Sequence, residues 1–431
     1  RHSQRPGVSK PQPDGRHLLL VTPHPLDDLQ RHRHGVYQRL QLLVAAAVAT
    51  GMRLEVVCAR GAQSPEDEAQ AARQAEAQLL AHWGVQAQVL AVTRAVPQRR
   101  LPYIAQQVLA CVSHRLSAAH RAALAGGQLA TLRAALSRRP ALVIAHRLHS
   151  MALLMQAEPR LPPCVMDLDD LEHEVQRQRA AQAQGARNKL LARAAVPALA
   201  AAVRTASRRA HHTLVCSTTD AQTLRQFAQL APEQVIVVPN GLPLPPPLPT
   251  SPAAATHPVL LMVGTYDYEP NADGARHFLQ HIWPPVQQAV PKAEVWFAGA
   301  SPGCIVDPAS APSGCRLLGF VPDLEATYAQ ASVVIAPILT GGGTRVKLVE
   351  AALRGKPMVS TTLGAHGLGL IDGQQVRLAD NPADFARACV SLLTQPDEAQ
   401  RLGEAARAVA REHFDRSQIA AALAQACLKA C

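Results

Sequence analysis

Residues 341–350 read Gly-Gly-Gly-Thr-Arg-Val-Lys-Leu-Val-Glu, and residues 351–367 continue Ala-Ala-Leu-Arg-Gly-Lys-Pro-Met-Val-Ser-Thr-Thr-Leu-Gly-Ala-His-Gly. A strand-like run at 332–338 enters the three-glycine turn, a helix is expected from Thr344, and an apolar strand at 357–360 ends in a second glycine-bearing loop. Backbone N–H groups exposed at a helix start, with Arg345 and Lys347 in the first turn, suit a phosphate or diphosphate. Glu350 lies six residues beyond Thr344, nearly two turns on, where a carboxylate can accept hydrogen bonds from a ribose diol. The competing reading is an ordinary glycine-rich connection with a surface Arg and Lys; the nucleotide reading is preferred.

The pattern on either side of this stretch is repeated strand–helix alternation. Strands are expected at 17–22, 53–58, 86–92, 141–145, 163–168, 213–216 and 234–238, with helices at 38–50 and 219–230 and a helical region at 171–212 broken near Gly185 and Pro197. A Pro-, Ala- and Thr-rich segment at 242–258 reads as a linker. A second series follows, with strands at 259–263, 294–298 and 316–318 and helices at 272–289, 324–331, 344–354, 382–394 and 397–412. Such alternation implies parallel, doubly wound sheets. The expected division is an acceptor-side domain over 16–241, a linker, a nucleotide-binding domain over 259–415, and a last helix at 416–431 that packs back on the first domain. Two such domains place ligands in the cleft between them, at the carboxyl ends of their strands. Gly264, Gly299, Gly319 and Gly341 to Gly343 all fall at such ends.

The 431 residues are 48% apolar but only 3% aromatic, which favours Ala/Leu-rich helices on Val-rich strands. The net charge of +11 suggests an anionic partner or, equally, solvated arginines scattered over many helices. No zinc-finger spacing or aromatic-interleaved basic sheet supports nucleic acid. Nine cysteines occur without a Cys-x-x-Cys pair or a zinc-like cluster, which suits a reducing compartment. Residues 1–15 read as a polar lead-in, and no unbroken apolar run reaches the ~18 residues of a membrane span. A soluble, cytoplasmic protein is expected, with peripheral attachment to the membrane's inner face left open.

Several further segments fall in order: Val238-Pro239-Asn240-Gly241, Met262-Val263-Gly264, Glu269-Pro270-Asn271, Val295-Trp296-Phe297-Ala298-Gly299, Leu317-Leu318-Gly319-Phe320-Val321 and Gly341 to Glu350. With these, the chain resembles glycosyltransferase family 4, in particular members of bacterial polysaccharide clusters with a Gly-Gly-Gly-Thr-Arg-x-Lys signature. The match is specific over 213–415 and looser before. The resemblance implies a GT-B fold of two Rossmann-like domains facing an interdomain cleft, a nucleoside-diphosphate sugar as co-substrate, no metal or other cofactor, and retention of anomeric configuration. It implies that Arg345 and Lys347 neutralise the donor diphosphate with the backbone of Gly342, Gly343 and Thr344. Glu350 would hold the ribose, Gly264 would belong to the donor site, and Phe320 and Val321 would border the base. His146 would lie near the transferred sugar, and Gly35 near the glycine loop after the first strand, where backbone must approach the sugar closely. The sequence departs from the family where Gly342 replaces the first of two glutamates eight positions apart, and where Thr265-Tyr266-Asp267-Tyr268 replaces an Arg and Lys. A single Gly35 stands where a pair is common.

His146 and His149 also read as polar strand-edge residues. Asp167, Asp169 and Asp170 could orient an acceptor hydroxyl, with Asp169 or Asp170 alternatively capping the following helix; without a companion His or Cys they imply no metal. The expected activity is retaining transfer of a hexose-type sugar to a saccharide or lipid-linked acceptor in polysaccharide or glycoconjugate synthesis. A nucleotide-sugar epimerase of the same plan and a non-catalytic nucleotide-sugar-binding protein are the alternatives.

Overall fold

The computed structural model describes residues 15–26, 35–60, 65–93, 128–183, 185–246 and 257–431. Residues 1–14, 27–34, 61–64, 94–127, 184 and 247–256, which include the expected lead-in and most of the expected linker, lie outside the described residues. The chain divides into two compact units. One takes residues up to 215 with 221–238 and 417–431, and the other takes 216–220 and 239–416.

In the first unit, β1 (His17–Thr22), β2 (Arg53–Arg60), β3 (Ala87–Thr93), β4 (Leu142–His146), β5 (Cys164–Asp169), β6 (His212–Val215) and β7 (Val235–Val237) form one sheet in the order β3-β2-β1-β4-β5-β6-β7. Every pairing in it is parallel. β1 shows why both faces are covered. Leu18 and Leu20 join Leu40, Leu43 and Val44 of the helix Gly35–Ala49 on one side. Leu19 and Val21, on the opposite face of the pleat, join Met151, Leu154 and Val203 on the other. A strand buried on both sides must be apolar throughout, which is the run the sequence shows. The C-terminal helix Arg416–Lys429 contributes Ala420, Leu423 and Cys427 to the first of these cores.

The second unit has β8 (Val259–Val263), β9 (Glu294–Ala298), β10 (Cys315–Gly319), β11 (Val333–Ala336), β12 (Met358–Ser360) and β13 (Arg377–Leu378), in the order β10-β9-β8-β11-β12-β13 and again all parallel. The chain's winding reverses between β1 and β4 in one sheet and between β8 and β11 in the other. Those reversals open crevices at the strands' carboxyl ends.

Two expectations need correction. The helix expected at 272–289 starts earlier, as Glu269–His277, widens into a π-type turn at Phe278–Ile282 and resumes as Trp283–Ala289. Pro284 and Pro285 carry no N–H, and the Trp283 N–H reaches back to the Phe278 carbonyl. The break expected at Pro197 does not occur: Ala186–Arg209 runs through it, with Pro197 on the exposed side. That helix, at 24 residues, is also long and apolar enough by composition to cross a membrane. Its Ala195, Ala198, Ala202, Val203 and Ala206 are buried in the unit, and 33% of the apolar window is buried in all.

Candidate functional site

At the β8/β11 reversal, Gly341 and Gly343 take positive φ of 100° and 74°, which turns the chain sharply after β11. The helix then runs Val346–Leu353, two residues later than expected, with Arg345 as an extended N-cap (φ −85°, ψ 95°). Arg345 is the reason. Its Nη1 donates to the Gly342 carbonyl at 2.7 Å and its Nη2 to that of Thr340 at 3.2 Å, tying the glycine loop to the residue that ends it. Thr344 is buried beside it and accepts a 2.7 Å bond from Asn240 Nδ2. Gly342 and Gly343 are half-buried.

Lys347 is the second residue of the helix, and its Nζ donates to Asn271 Oδ1 at 2.7 Å. Asn271 is itself held by donation to the Thr265 carbonyl at 2.9 Å. Gly264, at the end of β8, leaves the room for this pair: a Cβ there would lie 2.9 Å from Asn271 Nδ2 and 3.2 Å from Lys347 Nζ. Burial, then the neighbouring Arg345, lowers the Lys347 ammonium to about 7, against an opposing pull from Glu350. Glu350, three residues on and on the same helix face, accepts a 3.1 Å hydrogen bond from the Tyr328 hydroxyl. Phe320 and Val321 follow the left-handed Gly319 (φ 67°) at the end of β10. Phe320 is 70% exposed, whereas Val321 packs on the unit's core.

At the β1/β4 reversal the register sets Val21 beside Ala145, which brings Thr22 to His146. Thr22 Oγ1 lies 3.0 Å from His146 Nδ1 and accepts the His24 backbone N–H at 3.2 Å. His146 Nε2 has no hydrogen-bond partner among the described residues, and in the tautomer whose Nδ1 accepts from the Thr22 hydroxyl it is Nε2 that carries the proton. Burial, then the cations Arg147, His24 and Arg39, holds this histidine well below its ordinary pKa, so the ring is neutral at physiological pH. The His24 ring lies 5.6 Å away.

Next to it, Arg147 and Asp169 adopt left-handed φ of 69° and 60° at the ends of adjacent strands. Such backbone strain in non-glycine residues costs about 1–3 kcal/mol each and gathers where function demands it. Arg147 Nη2 sits 3.7 Å from carboxylate oxygens of both Asp169 and Asp170. The next helix, Glu172–Gln182, has Leu171 as its N-cap rather than either aspartate. Asp167 pairs instead with the fully buried Arg39, at 2.6 and 2.9 Å. His149 is half-buried in the first turn of the helix Arg147–Ala157. Gly35 is the first described residue of the helix Gly35–Ala49. Among the described residues no group of three His, Cys, Asp or Glu converges as metal ligands would.

Residues 257–395 match the family model described as Glycosyl transferases group 1. No curated protein sequence matches the chain. Of the solved structures, sucrose-phosphate synthase from Thermosynechococcus elongatus is similar at 16% identity and a TM-score of 0.66, over 95% of this chain and 98% of that one. The fold is GT-B. HepE from Anabaena, in complex with UDP and glucose, superposes with a TM-score of 0.63 at 15% identity over the same shares. A glycosyltransferase from Rickettsia africae does so at 0.62 and 10%, over 97% and 99%. The GT-B fold and the family match in its second unit together support a glycosyltransferase.

Thr22, Arg39, Asn240, Asn271 and Tyr328 were not singled out by the sequence as site residues. Asn240 and Asn271 do lie inside motifs that the sequence brings forward, Pro239-Asn240-Gly241 and Glu269-Pro270-Asn271. Tyr328 carries no local signal.

Proposed function

We propose that the chain is a retaining glycosyltransferase that moves a sugar from a nucleoside-diphosphate donor to a hydroxyl of a saccharide or lipid-linked acceptor. The observation that carries the reading is the pair Arg345 and Lys347, set at one helix start where the second sheet's winding reverses. In glycosyl transfer, negative charge grows on the leaving diphosphate, and positioned cations and backbone N–H groups stabilise it without reorganising. Lys347 meets that need directly. Arg345 holds the glycine loop in the shape that presents its N–H groups, and its guanidinium supplies charge. Glu350 holds the ribose. Neutral His146, with its Nε2–H unpaired, donates to the sugar, and Asp169 and Asp170 orient the acceptor. No resident metal is required in this scheme, because Arg345 and Lys347 take the role of the counter-cation.

UDP bound to HepE supports a nucleotide-sugar donor here as well. The reaction belongs to cell-surface polysaccharide or glycoconjugate assembly, on the cytoplasmic side where nucleotide sugars are made. A thermal-shift screen of nucleoside diphosphates and their sugars tests the reading, since a ligand at a hundred times its Kd adds about 2.7 kcal/mol of stability. The donor so found is then incubated with saccharide and lipid-linked acceptors. Release of nucleoside diphosphate with a new glycoside of unchanged anomeric configuration is expected, and Arg345→Ala should slow it at least ~10²-fold. A sugar product still joined to nucleotide, formed without acceptor, would indicate an epimerase instead. Binding without turnover on any acceptor would indicate a non-catalytic binding protein.

A further inference from the structure

The Glu350 carboxylate is held by a network that the diphosphate-binding role does not require. Tyr328, on the helix Leu324–Gln330, is completely buried, and its hydroxyl lies 3.1 Å from Glu350 Oε2. The same hydroxyl is 3.5 Å from the Lys347 carbonyl. A phenol has one proton to give, and the shorter, charge-assisted contact takes it. The Tyr328 ring is fixed in turn. The Arg354 guanidinium stacks over it at 4.6 Å, donates through Nε to Glu325 Oε2 at 2.9 Å, and donates through Nη1 to the backbone carbonyl of Glu350 at 2.9 Å. Both ends of Glu350, its carbonyl and its carboxylate, are therefore tied to one stacked Arg–Tyr pair. Long glutamate side chains carry substantial rotamer freedom, and freezing it before a ligand arrives removes that cost from binding.

We infer that Tyr328 is a positioning residue that orients Glu350 toward a ribose diol and thereby makes the site select ribonucleoside over 2′-deoxyribonucleoside diphosphates. The inference rests on the donor-site reading above and adds to it the residue that sets the sugar preference of the nucleotide. Burial, then the Glu350 charge, keeps the Tyr328 phenol well above its ordinary pKa, so it remains a donor throughout the working range.

The test is calorimetric titration of the full chain with ADP, CDP, GDP and UDP, each against its 2′-deoxy counterpart. Wild type, Tyr328→Phe and Glu350→Ala are compared, and thermal melting confirms that each variant folds. Wild type should favour the ribonucleotide by about tenfold, the scale of one hydrogen bond to a charged group. Glu350→Ala should remove the preference. Tyr328→Phe should reduce it to about twofold while leaving affinity for the 2′-deoxy ligand unchanged. Should Glu350→Ala keep the full preference, or no nucleoside diphosphate bind at all, the donor-site reading fails and this inference with it. If Glu350→Ala loses the preference but Tyr328→Phe keeps it, only the role of Tyr328 is overturned. Equal weakening of both ligands by Tyr328→Phe likewise overturns it, because general packing damage has no reason to distinguish a 2′-hydroxyl.

Discussion

Nucleoside diphosphate binding should weaken about fivefold between pH 7 and pH 8, and Lys347 should be the cause. The Lys347 ammonium titrates at about 7 because burial and the adjacent Arg345 disfavour its charge. A diphosphate beside it favours the charged form, so its pKa rises on binding and a proton is taken up wherever the ligand-free lysine is neutral. The sign follows: affinity is full below pH 7 and falls as pH rises above it. With one group at about 7, the apparent Kd grows as one plus ten to the power (pH − 7), which is about 2 at pH 7 and about 11 at pH 8, or ~1 kcal/mol. The ligand's own phosphate, with a second pKa of ≈ 6, is already ionised over the informative range from pH 7 to 8.5 and would only oppose the trend below it. Titration calorimetry in two buffers of different ionisation enthalpy, at pH 8, should report uptake approaching one proton. Lys347→Met should bind weakly with no pH slope over the same range. Flat or rising affinity from pH 7 to 8.5, or an unchanged slope in Lys347→Met, would refute the reasoning. The same group makes the ligand-free chain more stable as pH climbs above 7, since the unfolded lysine still binds a proton there and the folded one does not.

Gly264→Ala places a Cβ 2.9 Å from Asn271 Nδ2 and 3.2 Å from Lys347 Nζ, so that pair must shift. Nucleoside diphosphate affinity should drop about tenfold by calorimetry, and an unaltered Kd would count against the pair's role. Arg39→Met strands the fully buried Asp167 carboxylate, whose pairing with Arg39 also secures the Val238 carbonyl. Urea unfolding should show a loss of about 3–5 kcal/mol, and a loss below about 1 kcal/mol would mean that the carboxylate finds another partner. Thr22→Val keeps shape but removes the hydroxyl beside His146 Nδ1. Nitrogen NMR of the ring should then report a mixture of tautomers together with slower transfer, Thr22→Ser should restore both, and a single unchanged tautomer in Thr22→Val would exclude the hydroxyl as its determinant.

Strands were the most legible part of the sequence, because a parallel strand covered on both faces has to be apolar along its length. β1 and β8 fall at 17–22 and 259–263 as expected, and most others shift by a residue or two. β13 was missed, since two half-buried residues carry no pattern. Helix starts were less legible where a side chain overrides the local preference. Thr344 looks like a helix start in sequence, but the bonds from Arg345 to the Thr340 and Gly342 carbonyls hold the backbone extended until Val346. Asp170 looks like a cap in sequence, whereas the helix takes Leu171 as its N-cap and Arg147 Nη2 lies 3.7 Å from both aspartates. The diphosphate loop was readable because its glycines and cations are contiguous. Its supports were not: Asn271 meets Lys347 across 76 positions, and Thr22 meets His146 across 124. Pairings of that kind are fixed by sheet order, which no local window contains.

Partner chemistry, more than location, separates the cation that can serve a ligand from those that serve the fold. Arg39 is spent on Asp167, and Arg354 on Glu325; each donates to a carboxylate, so its charge is already cancelled where it sits. Lys347 donates to the neutral amide oxygen of Asn271, which fixes its direction without cancelling its charge. A half-buried ammonium held by a dipole is costly in isolation, and that cost is the same quantity that lowers its pKa to about 7. An arriving diphosphate relieves it, so part of the expense of folding this residue into place returns as affinity. Asn271→Asp distinguishes this account from simple charge placement. The carboxylate would keep Lys347 in position and raise its pKa, yet it should weaken nucleoside diphosphate binding and abolish the pH slope. Equal or tighter binding by Asn271→Asp would show that position alone suffices.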